Sequence, residues 1–516
     1  MTWLDRLNPT PEFPPYSGPY VVGSTDVEIP VSELKSPSPA PNSSESLSTV
    51  TFRVFYPCQP DATHQTVRWI PNPQRDYVGA YARFLGANSA FSHIFSFIPQ
   101  LLYYISIPVY QNAHILEPPT QSKRWPVMIF SHGLGGSRNS YSHLCGSLSS
   151  HGVVVVAPDH RDGSSPVSFV QPTDGKSGLK QIEYRKIPHK ASTEVYESRD
   201  EQLRIRLWEL GLVHDAVLKI DEGNPLTNHA RYWKANGRHD VLSMLTSKLE
   251  VQGPGSISFA GHSFGAATIV QFVKSSFYLS GALDPNYRPL FAPSKASSIV
   301  RQVTPATPVI LLDLWALPIQ SPATAWLKNK PMPCYNSPHG GSNLLAILSE
   351  AFYKWSANLQ ETKQIIAKPP DPYSKNSGQQ GPHLFYPVSS AHLSQSDFGV
   401  LFPWVTTKIF GAKEPERVLK LNVRAILQVL RNHHHEVANT RDVDIELEQV
   451  GRPVQSLRDQ LQDDKILSKT KDEVRGWVSL STDMEPDIPA QTGKGPSDAL
   501  VEGEVLGEVV SEPERY

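Results

Sequence analysis

Gly261-His262-Ser263-Phe264-Gly265-Ala266 is the stretch on which the fold turns. It follows the short apolar run Ile257 to Ala260 and precedes a helical pattern over Ala266 to Val273. A G-x-S-x-G sequence between a strand and a helix lifts a serine hydroxyl above the C-terminal edge of a sheet. Gly261 and Gly265 are required there, because a side chain at either would collide with neighbouring backbone as the turn closes. A helix starting near Phe264 aims its free N–H groups at whatever the serine holds. Ser263 is therefore the candidate nucleophile.

Outward from this turn the chain alternates between two kinds of pattern. Val127 to Phe130 and Val153 to Ala157 are short, continuous apolar runs, and Pro308 to Leu312 repeats them. Such runs suit the central strands of a parallel sheet, buried on both faces. Leu384 to Val388 is a weaker candidate, and Thr49 to Tyr56 alternates as a half-buried strand does. Between them, Glu194 to Asp221 places Leu203, Leu207, Leu210, Val213, Val217 and Ile220 at helical spacing. Leu344 to Lys368 and Glu414 to Asn432 read as two more helices. The alternation predicts an α/β architecture, a mostly parallel central sheet with helices on both faces, over residues 49–435. Residues 1–48, rich in Pro and Ser, read as an irregular lead-in. Residues 436–516 read as a largely disordered extension, since residues 483–516 hold nine acidic and two basic side chains.

Composition narrows the function. The 48 basic and 50 acidic side chains nearly balance, which gives no footprint for nucleic acid. Cys58, Cys145 and Cys334 are far apart and form no C-x-x-C pair, so neither a zinc site nor a disulfide framework is expected. No signal peptide or spanning helix is visible at the sequence level, so a cytoplasmic place is expected. The stretch from Ala87 to Ile115 is apolar and aromatic but interrupted by Pro99 and Pro108.

A second glycine motif, Phe130-Ser131-His132-Gly133-Leu134-Gly135-Gly136, follows an earlier strand, as oxyanion loops do beside an elbow of this kind. The backbone N–H of Leu134 is expected to pair with that of Phe264 to hold a developing negative oxygen. The acid and base should follow in the order Ser, Asp, His. Asp313 ends an apolar run and is favoured; Asp284 also ends one and is its rival. His392 lies just past the last strand candidate, with His383 and His339 as alternatives. His433-His434-His435 is no metal site on this reading, because adjacent residues of a helix point apart.

Taken in order, these stretches resemble the platelet-activating factor acetylhydrolases, the lipoprotein-associated phospholipase A2 family of the α/β-hydrolase fold. The likeness runs from Gly18-Pro19-Tyr20-Val21-Val22-Gly23 through Phe52-Arg53-Val54-Phe55-Tyr56-Pro57 and Trp69-Ile70-Pro71. It continues through the Phe130 to Gly135 loop, Asp159-His160-Arg161-Asp162-Gly163-Ser164 and the elbow. Asp313-Leu-Trp-Ala-Leu-Pro and the His392 loop ending in Asp397-Phe398 complete it, over roughly residues 17–432. The resemblance implies a triad of Ser263, Asp313 and His392, with Leu134 and Phe264 as oxyanion donors. It implies calcium-independent cleavage of the sn-2 acyl ester of phospholipids with short or oxidised chains, through an acyl-enzyme, with no cofactor and no metal.

Members of that family sit on lipid surfaces, which makes Phe95, Ile98, Leu101 and Leu102 candidates for a membrane-surface face. A buried helix of the insertion is an equal reading of the same residues. Residues 278–307 and 350–382 look like insertions relative to the family, so acyl preference stays open, as does oligomeric state. Two other readings stand beside this one: a general carboxylesterase or polyester hydrolase on the same elbow, and a catalytically silent lipid-binding protein.

Overall fold

The computed structural model describes residues 10–60, 66–84, 102–172, 178–230, 241–279, 284–368, 380–445, 463–470 and 473–483. Its frame is a twelve-stranded sheet. In chain order these strands are β1 (Val22–Pro30), β2 (Thr49–Pro57), β3 (Thr66–Arg68), β4 (Ser106–Gln111), β5 (Trp125–Ser131) and β6 (Val154–Pro158). After the separate hairpin of β7 (Val167–Val170) and β8 (Lys180–Glu183) come β9 (Leu249–Glu250), β10 (Ile257–His262), β11 (Val309–Leu312), β12 (Leu344–Ile347), β13 (His383–Pro387) and β14 (Trp477–Ser479).

Across the sheet the order is β14-β13-β12-β11-β10-β5-β6-β2-β1-β4-β3, with β9 paired to β5. Strands β6, β5, β10, β11, β12 and β13 run parallel, while β2 and β14 flank them antiparallel. Every residue of β5, β6, β10, β11 and β12 is buried, which is why they read as unbroken apolar runs. The chain leaves β5 toward β6 and returns to the other side at β10. The carboxyl ends of β5 and β10 thus form the topological switch point, where open α/β sheets place their sites.

The helices cover both faces. The Thr193–Glu222 helix is capped by Ser192, whose side chain accepts from Val195 N, and ends at Gly223 in the left-handed conformation. The Phe264–Phe277 helix follows β10 directly and is buried almost throughout. The Pro415–Asn432 helix packs Val418, Leu421, Ile426, Val429 and Leu430 inward at helical spacing.

Three sequence expectations change. The helix expected over Leu344 to Lys368 is a strand first, β12, followed by helices at Glu350–Lys354 and Ser356–Ile366. Leu344 to Ile347 is four apolar residues, too short for its period to separate strand from helix, and pairing with β11 decides it. Within the expected irregular lead-in lies β1, nine residues in full antiparallel register with β2 from Val22 opposite Pro57 to Pro30 opposite Thr49. Beyond residue 435, β14 adds an edge to β13. Residues 484–516 lie outside the described residues. Among the described residues no helix is long and apolar enough to cross a membrane.

Candidate active site

Ser263 sits between β10 and its helix with φ 56° and ψ −119°, backbone that a residue with a side chain adopts only under constraint. The constraint is visible. Ser263 N donates to Leu312 O at 2.9 Å, and Ala267 N donates to Ser263 O at 3.2 Å. A Cβ on Gly265 would overlap the carbonyl of Ser131, and one on Gly261 would overlap the backbone of Gly265. Both glycines are thus demanded by close backbone approach, as the motif requires.

Asp313 follows β11, also at positive φ, and is fully buried. His392 Nδ1 lies 2.8 Å from its Oδ2, and Ser349 N donates to its Oδ1. Burial works to raise the Asp313 carboxyl; the imidazoles of His262 and His392 outweigh it and hold the group below the usual carboxylate range. The His392 ring lies in a slot, stacked on Phe352 at 4.5 Å and 7° and facing His262 at 4.2 Å. Ser263, Asp313 and His392 therefore all emerge at the carboxyl edge of the sheet, after β10, β11 and β13.

The other candidates lie elsewhere. Asp284 accepts from Asn286 N at 2.9 Å in a surface turn. His383 begins β13, at the opposite edge of the sheet. There too is His339, which lines a cavity of about 950 Å³ with His433, His434 and His435. That triple histidine follows the helix ending at Asn432 rather than extending it.

The loop after β5 is braced from below. Arg206 donates to His132 O at 2.8 Å, Asp162 Oδ2 at 2.8 Å and Ser164 Oγ at 2.6 Å, and its guanidinium lies over the Phe264 ring at 4.4 Å. Ser131 Oγ meets His160 Nε2 at 2.9 Å, and His160 Nδ1 meets Glu209 Oε2 at 2.9 Å. Gly133 N donates to Tyr141 OH and Gly135 N to Ser164 O. Leu134 N has no acceptor among the described residues. Phe264 is the first residue of its helix, so its N–H has no intrahelical partner.

His262, Asp313 and His392 place two imidazoles and a carboxylate with ligand atoms within 4.8 Å of one another, donor types that can hold a metal. Here the closest pairing is a hydrogen bond to an ionised carboxylate. It keeps a proton on His392 Nδ1 and removes that nitrogen as a ligand.

Sequence reasoning gave no role to His262, Tyr141, Ser349 or Phe352. His262 stood inside the quoted motif at its variable position. Ser349 and Phe352 were hidden inside the helix expected over Leu344 to Lys368. Of the candidate lipid-facing residues, Phe95, Ile98 and Leu101 lie outside the described residues. Leu102 is buried in the core, which removes it from that face.

Switch-point sheet, strained serine elbow and buried Asp–His pair define a serine esterase of the α/β-hydrolase fold, a carboxylic ester hydrolase. The family model described as platelet-activating factor acetylhydrolase, isoform II, matches residues 7–451, and the chain belongs to that family. A Schizosaccharomyces pombe protein named as a phospholipase A2 is 28% identical over 82% of this chain and 93% of its own length. The platelet-activating factor acetylhydrolase of Bos taurus is 32% identical, over 50% of this chain and 51% of its own. That of Gallus gallus is 24% identical, over 81% and 83%.

Proposed function

We propose that the chain hydrolyses the sn-2 acyl ester of phospholipids whose acyl chain is short or oxidised, with Ser263 as nucleophile. The 2.8 Å bond between His392 Nδ1 and Asp313 carries this reading. With Nδ1 protonated, the His392 Nε2 is free to take the Ser263 proton as the hydroxyl attacks the ester carbonyl. Asp313 stays ionised and stabilises the imidazolium that forms. Leu134 N and Phe264 N receive the oxyanion, each worth about 10²–10³ in rate. On collapse His392 gives that proton to the leaving glycerol oxygen, which releases the lysophospholipid and leaves an acyl-enzyme; water then cleaves it with His392 again as base, the proton passing back to Ser263 as the acid departs. His392 carries every proton of this sequence between nucleophile and leaving oxygen while Asp313 stays ionised, so the reaction is expected to run without calcium.

Of the four residues first singled out for a lipid surface only Leu102 is described, and it is buried; the described fold offers two others in support of that reading. Tyr104 and Trp404 are large hydrophobics that the described fold leaves mostly exposed, at 63% and 64%. Aromatics of this kind suit a membrane interface. Peripheral contact of a cytoplasmic protein is the corresponding proposal.

The test is turnover of phospholipids of increasing sn-2 chain length, with and without chelator, beside p-nitrophenyl butyrate. A steep preference for acetyl and other short sn-2 chains, unmoved by chelator, is expected. Preference for the p-nitrophenyl ester would favour the general carboxylesterase. Persistence of ester cleavage in Ser263→Ala, or no labelling of Ser263 by a fluorophosphonate, would remove the mechanism.

A further inference from the structure

His262 fills the variable position before the nucleophile, yet its side chain turns inward and is buried. Its Nδ1 lies 2.8 Å from the hydroxyl of Tyr141. The same hydroxyl oxygen accepts from Gly133 N at 3.2 Å. Burial keeps this tyrosine protonated, and its proton has one acceptor among the described residues, His262 Nδ1. The imidazole is neutral at physiological pH, because burial and then the charge of His392 press it down to about 4. A neutral ring whose Nδ1 accepts must carry its proton on Nε2. That nitrogen is buried with no hydrogen-bond partner, and Asp313 Oδ2 lies 3.9 Å away.

We infer that His262 is a positioning residue: its Nε2–H, fixed by Tyr141, faces the triad carboxylate, and its ring walls the slot that orients His392. The inference rests on the reading of Ser263, Asp313 and His392 as a triad. Phe352 forms the opposite wall, so the His392 imidazole is held between two rings while its Nδ1 stays on Asp313. Among the described residues the titratable groups facing His262 are Asp313, His392 and Tyr141. An N–H aimed at Oδ2 draws part of the carboxylate's charge to itself, so less of that charge acts on the His392 ring. Through Tyr141, the same ring is tied to the Gly133 amide, one residue before the proposed oxyanion donor Leu134.

His262→Leu removes both the donor and the ring. It is expected to lower kcat about ten-fold or more, as small misplacement of a reacting group does, with KM within about two-fold. The acid limb of kcat/KM should move to higher pH, since the whole Asp313 charge then acts on His392. His262→Gln can accept from Tyr141 and donate toward Asp313, so it should restore most of kcat and return the limb. Equal loss in both variants, or a limb that does not move, overturns the inference. Nitrogen-15 NMR of histidine in the unsubstituted full chain reads the tautomer without any variant. Protonated Nε2 with bare Nδ1 is expected, and the reverse overturns it. Fluorophosphonate labelling separates the two layers. No label on Ser263 in the native chain would sink the triad itself, whereas normal labelling with an unmoved limb would sink only the role of His262.

Discussion

The indole Nε1 of Trp69 donates to Oδ2 of Asp397 at 2.9 Å, across 328 positions of sequence. Asp397 also accepts from Ser142 N, Ser142 Oγ and His143 N, at 2.9, 2.5 and 2.9 Å. A buried carboxylate at the start of the short helix after His392 thus caps the Ser142–Ser150 helix, which begins just after the proposed oxyanion loop. Helix N-termini favour such a charge. The two loops that must be held in register are joined at one residue.

Asp397→Asn places an amide NH₂ among donors. It is expected to cost about 2–3 kcal/mol, because at least one buried donor loses its acceptor. Trp69→Phe, which removes one bond and leaves one oxygen still satisfied, should cost about 1 kcal/mol. Denaturant unfolding checks both. Asp397→Asn should also lower kcat at temperatures where the variant is still folded; unchanged kcat would show that the tie does not reach the site.

Asp313 and Asp284 make opposite predictions. Asp313→Asn removes the ionised partner of His392 Nδ1 and favours the wrong tautomer, so kcat should fall about 10⁴-fold. Asp284→Asn alters a surface turn and should leave kcat unchanged. Steady-state kinetics on one short-chain ester compares them, and the reverse ranking would reassign the acid.

Legibility from sequence follows physical locality. The elbow can be read because its chemistry lies in consecutive residues: a strand, two glycines without room for a Cβ, a serine and a helix. Strands β5, β6, β10 and β11 can be read because burial on both faces leaves an unbroken apolar run. Strand β12 cannot, since four apolar residues look alike in helix and strand, and only the neighbour at β11 settles the matter. β1 escapes because its sequence, Val-Gly-Ser-Thr-Asp-Val-Glu-Ile-Pro, carries polar residues that are buried by β2 and by partners such as Arg53, which pairs with Asp26 at 2.7 Å. The pairing of His392 with Asp313, rather than with Asp284, depends on contacts across 79 positions. Chain order could rank the candidates but not bring them together. His262 shows the converse: its position was in plain view, and only the hydroxyl of Tyr141 gives its protons a direction.

Gly265→Ala tests the close approach directly. A methyl there would meet the Ser131 carbonyl, which belongs to a strand and has no freedom to move aside. The expected cost is about 3 kcal/mol or more, in the range of severe core strain. Loss of folded protein, or of Ser263 labelling in what remains folded, is the expected outcome. A fully active and equally stable variant would contradict the geometry of the turn.

Glu209 supplies a pH dependence with a definite sign. It is buried beneath the loop after β5, where burial raises its carboxyl to about 8, against a partial opposing pull from Arg161. In the unfolded chain it titrates near 4.5. Between those values the folded state holds a proton that the unfolded state has lost. The group's contribution to stability is therefore complete below about pH 4.5 and is lost as pH rises through about 8. Glu209→Gln keeps the shape and stays neutral, so this loss should vanish. Melting temperature followed from pH 6 to pH 9 should fall more steeply for the native chain than for the variant. His160, pressed well below its ordinary value by burial and by Arg206, is neutral in the fold but takes up a proton near pH 6.5 once unfolded, so it adds a slope of the opposite sign at the lower end of that range, one that the native chain and the variant share. Parallel curves for the two proteins would mean that Glu209 is already ionised in the fold, held so by Arg161.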